Sequence, residues 1–366
     1  MLSIGIVGLP NVGKSTLFNA LTEKSVPAEN YPFCTIDPSV GVVAVPDERL
    51  NQLSQFSNSV KTIPAAIEFV DIAGLVKGAS AGEGLGNKFL SNVREVDAIA
   101  EMVRIFDDGE ITHVDGSVDP VRDIEVINLE LILADFQTVS KRLANIEKDV
   151  KRGDKDAAAE KEVLKKVEVA LDEGKLANTL EYSEAENEIM KGMHLLTMKP
   201  ILYVLNKKAG GKNLDETEDE RYKKLMDFLK ETNSKFVIVD AGVEGELSGL
   251  EKEEKLEFRK ELGADEGSDG VDDLIRTSYD LLGLMTYFTT GPEESRAWTI
   301  KKDSTAPIAG GAIHTDFTDK FIRADIINWQ DLLDAGSHAA AREKGLIRTE
   351  GKEYIVQDGD VIEFRV

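Results

Sequence analysis

A single cysteine and only four histidines in 366 residues remove several kinds of chemistry at once. The lone Cys34 excludes a disulfide framework and a cysteine-rich metal centre. The histidines are scattered and give no zinc-ligand spacing. Cationic charge is also scarce: 44 Lys and Arg stand against 68 Asp and Glu, a formal net charge of −24. Such a surface argues against broad electrostatic capture of nucleic acid and leaves room only for a local basic patch. No hydrophobic run approaches the length of a membrane span, so no membrane partner is expected. The chain enters a strand almost at once, with no signal-peptide pattern before it. A soluble cytoplasmic protein is the expectation. An apolar content of 42% supplies real cores, and the length implies two or three domains.

What is present is concentrated at the start. Ser3–Val7 reads as a short buried strand, and Lys14–Thr22 reads as a helix. Between them lies Gly8-Leu9-Pro10-Asn11-Val12-Gly13-Lys14-Ser15, a phosphate-loop pattern. Gly8 and Gly13 let the backbone curl around an anion, and the loop amides and helix N-terminus face it. Lys14 neutralises β- and γ-phosphate charge, and Ser15 offers its hydroxyl to Mg²⁺. Asn11, Val12, Gly13, Lys14, Ser15 and Thr16 are therefore candidate nucleotide-binding residues.

Further along, Thr35 stands where a nucleotide switch places a hydroxyl on Mg²⁺, although a turn threonine after Pro32 fits the same spacing. Ile67–Val70 is a strand ending in Asp71-Ile72-Ala73-Gly74. That places Asp71 to hold the metal's water shell and the Gly74 amide to approach a γ-phosphate. Ser15, Thr35 and Asp71 are the candidate metal residues; Lys14, Thr35 and Gly74 are the candidate catalytic ones. Leu75 occupies the place where many GTPases carry a water-orienting glutamine, and leucine makes no hydrogen bond. Unaided hydrolysis should be slow. Glycines 78, 82, 84 and 86 suggest a loop that ligand must order. His113 is expected on a surface loop.

From Asn128 the pattern changes. Leu129, Ile132, Phe136, Val139, Leu143, Ile146 and Val150 recur at steps of three and four, and Leu164, Val167 and Leu171 follow a break at Arg152-Gly153-Asp154. This favours an inserted antiparallel coiled-coil hairpin. Lys148, Lys151, Arg152 and Lys155 near its tip form a local cationic patch for an acidic partner such as RNA, or simply a solvated face. A helix over Glu184–His194 returns the chain to the first domain.

Pro200–Leu205 is a strand ending at Asn206-Lys207-Lys208-Ala209, which resembles the Asn-Lys-x-Asp base-reading loop of P-loop GTPases. Asn206 addresses the purine or ties loops together, and the stem of Lys207 covers the base. Ala209 accepts nothing where an acid is usual, so ATP and GTP both remain open, with Asp215 or Glu216 as substitute acids. A helix is expected over Asp215–Leu229. Ala241 and Gly242, after the strand Lys235–Val239, are small enough to bring backbone N–H groups to the ring. A charged surface helix is expected over Leu247–Leu262 and a closing helix over Val271–Leu282. Beyond Leu284 come short strands at Ala297–Ile300, His314–Phe317 and Phe321–Ile327, a short helix over Thr305–Gly311, and a final hairpin of Tyr354–Val356 with Val361–Phe364. His314 is expected as a structural turn residue.

The run from Gly8 to Thr22 resembles the Obg-related translation-factor GTPases, and Asp71–Ala79 agrees. Asn30–Ile36 and the C-terminal third narrow the resemblance to the YchF/Obg-like ATPase family, over essentially the whole chain. The resemblance implies a discontinuous P-loop α/β domain (residues 1–127 and 199–281), a projecting helical arm (128–198) and a C-terminal β-grasp module of the TGS type (282–366). It also implies that Asn11 helps bind a monovalent cation such as K⁺, and that Leu75 marks a subgroup lacking the catalytic glutamine. It further implies a glutamate at the position of Ala209, which this chain lacks. The expected function is an Mg²⁺-dependent nucleoside triphosphatase, ATP favoured over GTP, acting as a nucleotide switch on the ribosome or ribosomal RNA. A GTPase with unusual base recognition, or a nucleotide-regulated RNA- or ribosome-binding module with negligible turnover, are the alternatives. Oligomeric state is not legible.

Overall fold

The computed structural model describes residues 1–27, 31, 37–72, 84–108, 117–247, 250, 254, 257–258 and 270–365. Thr35, Gly74, Leu75, Cys34 and His113 lie outside the described residues, as do most of the glycine-rich loop and of the charged helix expected over 247–262.

The first half contributes four strands to one six-stranded sheet. Its elements are β1 (Ser3–Gly8), α1 (Lys14–Glu23), β2 (Val40–Ala44), α2 (Glu48–Ser57), β3 (Lys61–Ile63), β4 (Ala66–Asp71), α3 (Gly84–Glu95), β5 (Ala98–Arg104) and β6 (Phe106–Asp107). A helical excursion follows: α4 (Pro120–Lys151), α5 (Lys155–Asp172) and α6 (Glu184–Met193). The chain then returns with β7 (Ile201–Asn206), β8 (Lys212–Asn213), α7 (Glu220–Glu231), β9 (Lys235–Val239), α8 (Ala241–Leu247) and α9 (Gly270–Leu281). The strands order as β2-β4-β1-β5-β7-β9, parallel throughout except for β2. Both β1 and β7 are buried along their whole length, as expected when helices cover both faces. The phosphate loop and the Asn206 loop leave this sheet at the carboxyl ends of their strands, where α/β folds place ligands.

The arm starts earlier than its apolar seam suggests. Pro120 opens α4 behind the Asp119 cap, whose carboxylate accepts from the Arg122 amide. The first turns of α4 pack Ile124, Ile127 and Leu131 into the main core. Beyond them Ile132, Val139 and Ile146 join Val163, Leu164, Val167 and Leu171 of α5 in a second core. Leu129, expected in the seam, is 53% exposed, because at that height the buried face of α4 is the one turned to the sheet. The reversal at Arg152–Asp154 is as expected, with Asp154 capping α5.

The C-terminal sheet runs β13-β12-β14-β10-β11-β3, from β10 (Leu284–Thr290), β11 (Glu294–Lys301), β12 (Arg323–Asn328), β13 (Arg348–Glu350) and β14 (Asp360–Arg365). Helices α10 (Ala306–Ile313), α11 (Thr315–Asp319), α12 (Trp329–Ala335) and α13 (His338–Glu343) connect these strands. The expected final hairpin is not formed. The antiparallel partner of β14 is β12, while Ile355 makes only an isolated bridge to Thr305. His314–Phe317 is not a strand: the His314 ring accepts from the Asp316 amide at 3.1 Å and caps α11. The outer strand β3 comes from the first domain and pairs with β11, a connection the sequence did not suggest.

Candidate functional site

The phosphate loop is shaped by backbone that only certain residues tolerate. Gly8 (φ +154°) and Gly13 (φ +103°) cannot carry a side chain here: a Cβ on Gly8 would lie 2.7 Å from the Met102 carbonyl, and one on Gly13 2.6 Å from Asn206 Nδ2. Asn11 adopts the left-handed region at φ 64°, which asparagine accepts more readily than most residues. Val12 is buried, while Asn11, Ser15 and Thr16 are exposed along the rim.

Lys14 Nζ donates to the Leu9 carbonyl at 2.8 Å. Burial lowers the Lys14 pKa, and the nearby Asp71 carboxylate opposes that shift. Burial likewise raises Asp71, opposed by Lys14. The two charges, at the tips of adjacent elements, therefore sense each other beside the loop expected to hold phosphate. The two expected ligands that are described, exposed Ser15 and half-buried Asp71, would offer oxygen donors only. That chemistry fits a hard, partly hydrated divalent cation such as Mg²⁺. Of the three expected metal residues, Asp71 lies near enough to Lys14, the neighbour of Ser15, for the two charges to interact; Thr35 lies outside the described residues, as does Gly74, expected as catalytic.

Asn206 joins the parts. Its Nδ2 donates to the Val12 carbonyl at 2.8 Å, and its Oδ1 accepts from the Ala241 amide at 3.1 Å. With 5% exposure it ties the phosphate loop to the base loop, the second of the two roles expected for it. Lys207 is partly buried, its amide bonded to Val239 and its ammonium 3.6 Å from Glu216. Glu216 also accepts from the Asn213 amide group at 3.1 Å. Asn213 in turn brackets Lys208, accepting from its N–H and donating to its carbonyl, each at 2.9 Å. This turn delays α7, expected from Asp215, until Glu220.

The second base loop departs from expectation. Residues 241–247 are helical, and α8 packs on α1, bringing Gly245 beside Thr16. The Ala241 and Gly242 amides, expected to reach the ring, are already engaged: Ala241 donates to Asn206, and Gly242 to Asp240 Oδ1 at 3.0 Å. Asp240, which the sequence reading passed over, also accepts from the Val243 amide at 3.0 Å and from the Ala209 amide. Its position immediately before a helix start was the available signal.

Comparisons with known proteins agree with this architecture. Residues 3–135 match the family described as 50S ribosome-binding GTPase, and residues 284–366 match the YchF-GTPase C-terminal family, described as a protein of unknown function. A protein of Bacillus subtilis strain 168 called ribosome-binding ATPase YchF is 54% identical over 364 residues, covering 100% of this chain and 99% of the relative. A protein of the same name from Escherichia coli O157:H7 is 48% identical, covering 98% of each chain. The solved structure of the Schizosaccharomyces pombe YchF GTPase superposes with a TM-score of 0.87 at 39% identity, covering 100% of this chain and 97% of that one.

Proposed function

The chain belongs to the YchF family of P-loop nucleotide hydrolases, and from that premise we propose that it is an Mg²⁺-dependent, ribosome-associated ATPase of the cytoplasm that works as a nucleotide switch. The observation that supports this reading best is the Asn206 tie, which locks the phosphate loop to a base pocket lacking the usual guanine contacts.

Each residue has a physical task. The loop amides cradle the phosphates, and Lys14 exchanges its bond to Leu9 for the β- and γ-phosphate oxygens. Ser15 and Asp71, with Thr35, would hold Mg²⁺, which would supply positive charge to the β- and γ-phosphates. The Gly74 amide would meet the γ-phosphate, and Asn11 would help hold a K⁺ ion. Leu75 cannot orient water, so turnover by the free protein is slow and rises when a partner completes the site. Adenine is preferred because Ala209 offers no acceptor to guanine N1–H, and the Ala241 and Gly242 amides are spent before they reach guanine O6. A buried donor left unpaired costs about 1–3 kcal/mol.

The test is Lys14→Ala, assayed for triphosphate binding and for ATP turnover with and without K⁺ and ribosomes. Affinity and turnover should fall together, the latter by at least about 100-fold. Full activity with unchanged affinity in Lys14→Ala would remove the site from this loop.

A further inference from the structure

We propose that Asp240 is the specificity-determining carboxylate of the base pocket, standing in for the acid absent at Ala209 and accepting from the exocyclic amine of adenine. The assignment rests on the adenine-nucleotide reading above and names the group that performs the discrimination.

Three observations carry it. First, position: Asp240 Oδ2 accepts from the Ala209 amide, so the carboxylate lies one hydrogen bond from the residue where a base-reading acid would sit. Second, surroundings: Asp240 is only partly buried, between Lys207, whose amide bonds to Val239, and α8, which packs against the helix of the phosphate loop. On the proposed reading, a purine whose phosphates sit in that loop would meet this edge. Third, capacity: a carboxylate has about four acceptor positions. Oδ1 fills two with the Gly242 and Val243 amides at 3.0 Å each, and Oδ2 fills one with Ala209.

One acceptor position remains, on the oxygen that faces Ala209. Adenine carries one amino donor, on C6, for that position. Guanine carries O6 at that ring position, an acceptor that a carboxylate repels, and its N1–H and C2 amine point to a different part of the edge. A helix cap and a base reader are thus combined in one side chain, and the cap fixes the rotamer that reading requires. The carboxylate is held by three amides before ligand arrives, so little ordering entropy is lost on binding.

The experiment measures, by calorimetry on the full chain, the binding of ADP, GDP and purine riboside 5′-diphosphate, which is ADP without the amine. Wild-type protein should bind ADP about tenfold tighter than the amine-free analogue, as expected for a hydrogen bond to a charged group. In Asp240→Asn the cap oxygen is kept and the reading oxygen becomes an NH₂ donor. ADP should weaken about tenfold, while the amine-free analogue weakens much less. Equal losses for the two ligands would reduce Asp240 to a cap and overturn the proposal. So would a wild-type protein that binds ADP yet ignores the amine, a result that needs no variant and leaves the ATPase reading standing. GDP binding tenfold tighter than ADP would overturn both.

Discussion

Gly13 and Asn206 are complementary at the scale of a single contact: the missing Cβ of one makes room for the amide of the other. Such residues are legible when their chemistry is local. Gly8, Gly13, Lys14 and Ser15 sit in one strand–loop–helix unit, so spacing alone is enough to propose them. Asp240 is not legible in this way, because its importance depends on Ala209, which is distant in sequence and joined to it only by folding. Glu101 is a second case hidden in an apolar-looking strand. It is 1% exposed at the middle of β5, and neither carboxylate oxygen has a hydrogen-bond partner. Burial, reinforced by the neighbouring Asp123, pushes its pKa well above the ordinary glutamate range. The unfolded chain therefore releases this proton first, and stability falls as pH rises from the ordinary range toward the raised value. Replacing Glu101 by Gln removes that dependence. The melting difference between Glu101→Gln and wild type should widen with pH, by up to about 1.4 kcal/mol per pH unit. A constant difference from mild acid to mild alkali would show that Glu101 is not held neutral.

Among elements, the arm was legible because a sustained heptad pattern survives any tertiary context, and its reversal is marked by Gly153 at φ +89°. Its root was not, because α4 changes the core it serves without a break in the helix. The return is fixed instead by Asp135, fully buried, which accepts from the Leu196 amide at 3.1 Å and from the Thr197 amide and hydroxyl at 2.7 Å each. The tip patch proves mixed in sign: Arg152 lies 3.3 Å from Asp149, and Lys151 3.8 Å from Glu147. Since the arm core is separate from the sheet core, damage to it should stay there. Leu164→Ala removes a wholly buried side chain of α5 and should cost the arm about 2–5 kcal/mol. Hydrogen exchange should then speed up across α5 and the outer half of α4 while nucleotide affinity stays within about twofold. Unchanged protection in the arm, or a collapse of nucleotide binding, would refute its separateness.

For the molecule as a whole, the two sheets share a chain segment. Ile63 ends the outer strand of the C-terminal sheet, and Ala66 begins β4, whose far end is Asp71. Side chains reinforce the join. Arg49 of α2 holds Asp47 at 2.7 Å and Asp358 at 2.5 Å and lies 5.2 Å from the centre of the Phe288 ring, while the Ser57 and Thr290 hydroxyls meet at 2.7 Å. The sequence hid this, since β3 is three residues long with two of them exposed, and a short polar strand has no period to read. The misplaced final hairpin has the same root: β14 alternates well, but the partner that completes its sheet lies before a helical excursion. The C-terminal unit should therefore not detach cleanly. A chain ending at Leu282 removes β11 from β3, and Phe288 and Asp358 from Arg49. It uncovers the half-buried Phe56 beside His338. We expect this truncation to melt well below the intact chain, to expose apolar surface to a dye, and to bind ATP more weakly because β4 loses the support at its start. The losses should be graded, with stability falling more than affinity, since the phosphate loop itself hangs on β1 and α1. Arg49→Ala should reproduce part of the effect, about 1–3 kcal/mol, without removing a strand. If the truncated chain kept the melting temperature and the ATP affinity of the full protein, β3 would be a passive edge and the two sheets would be independent.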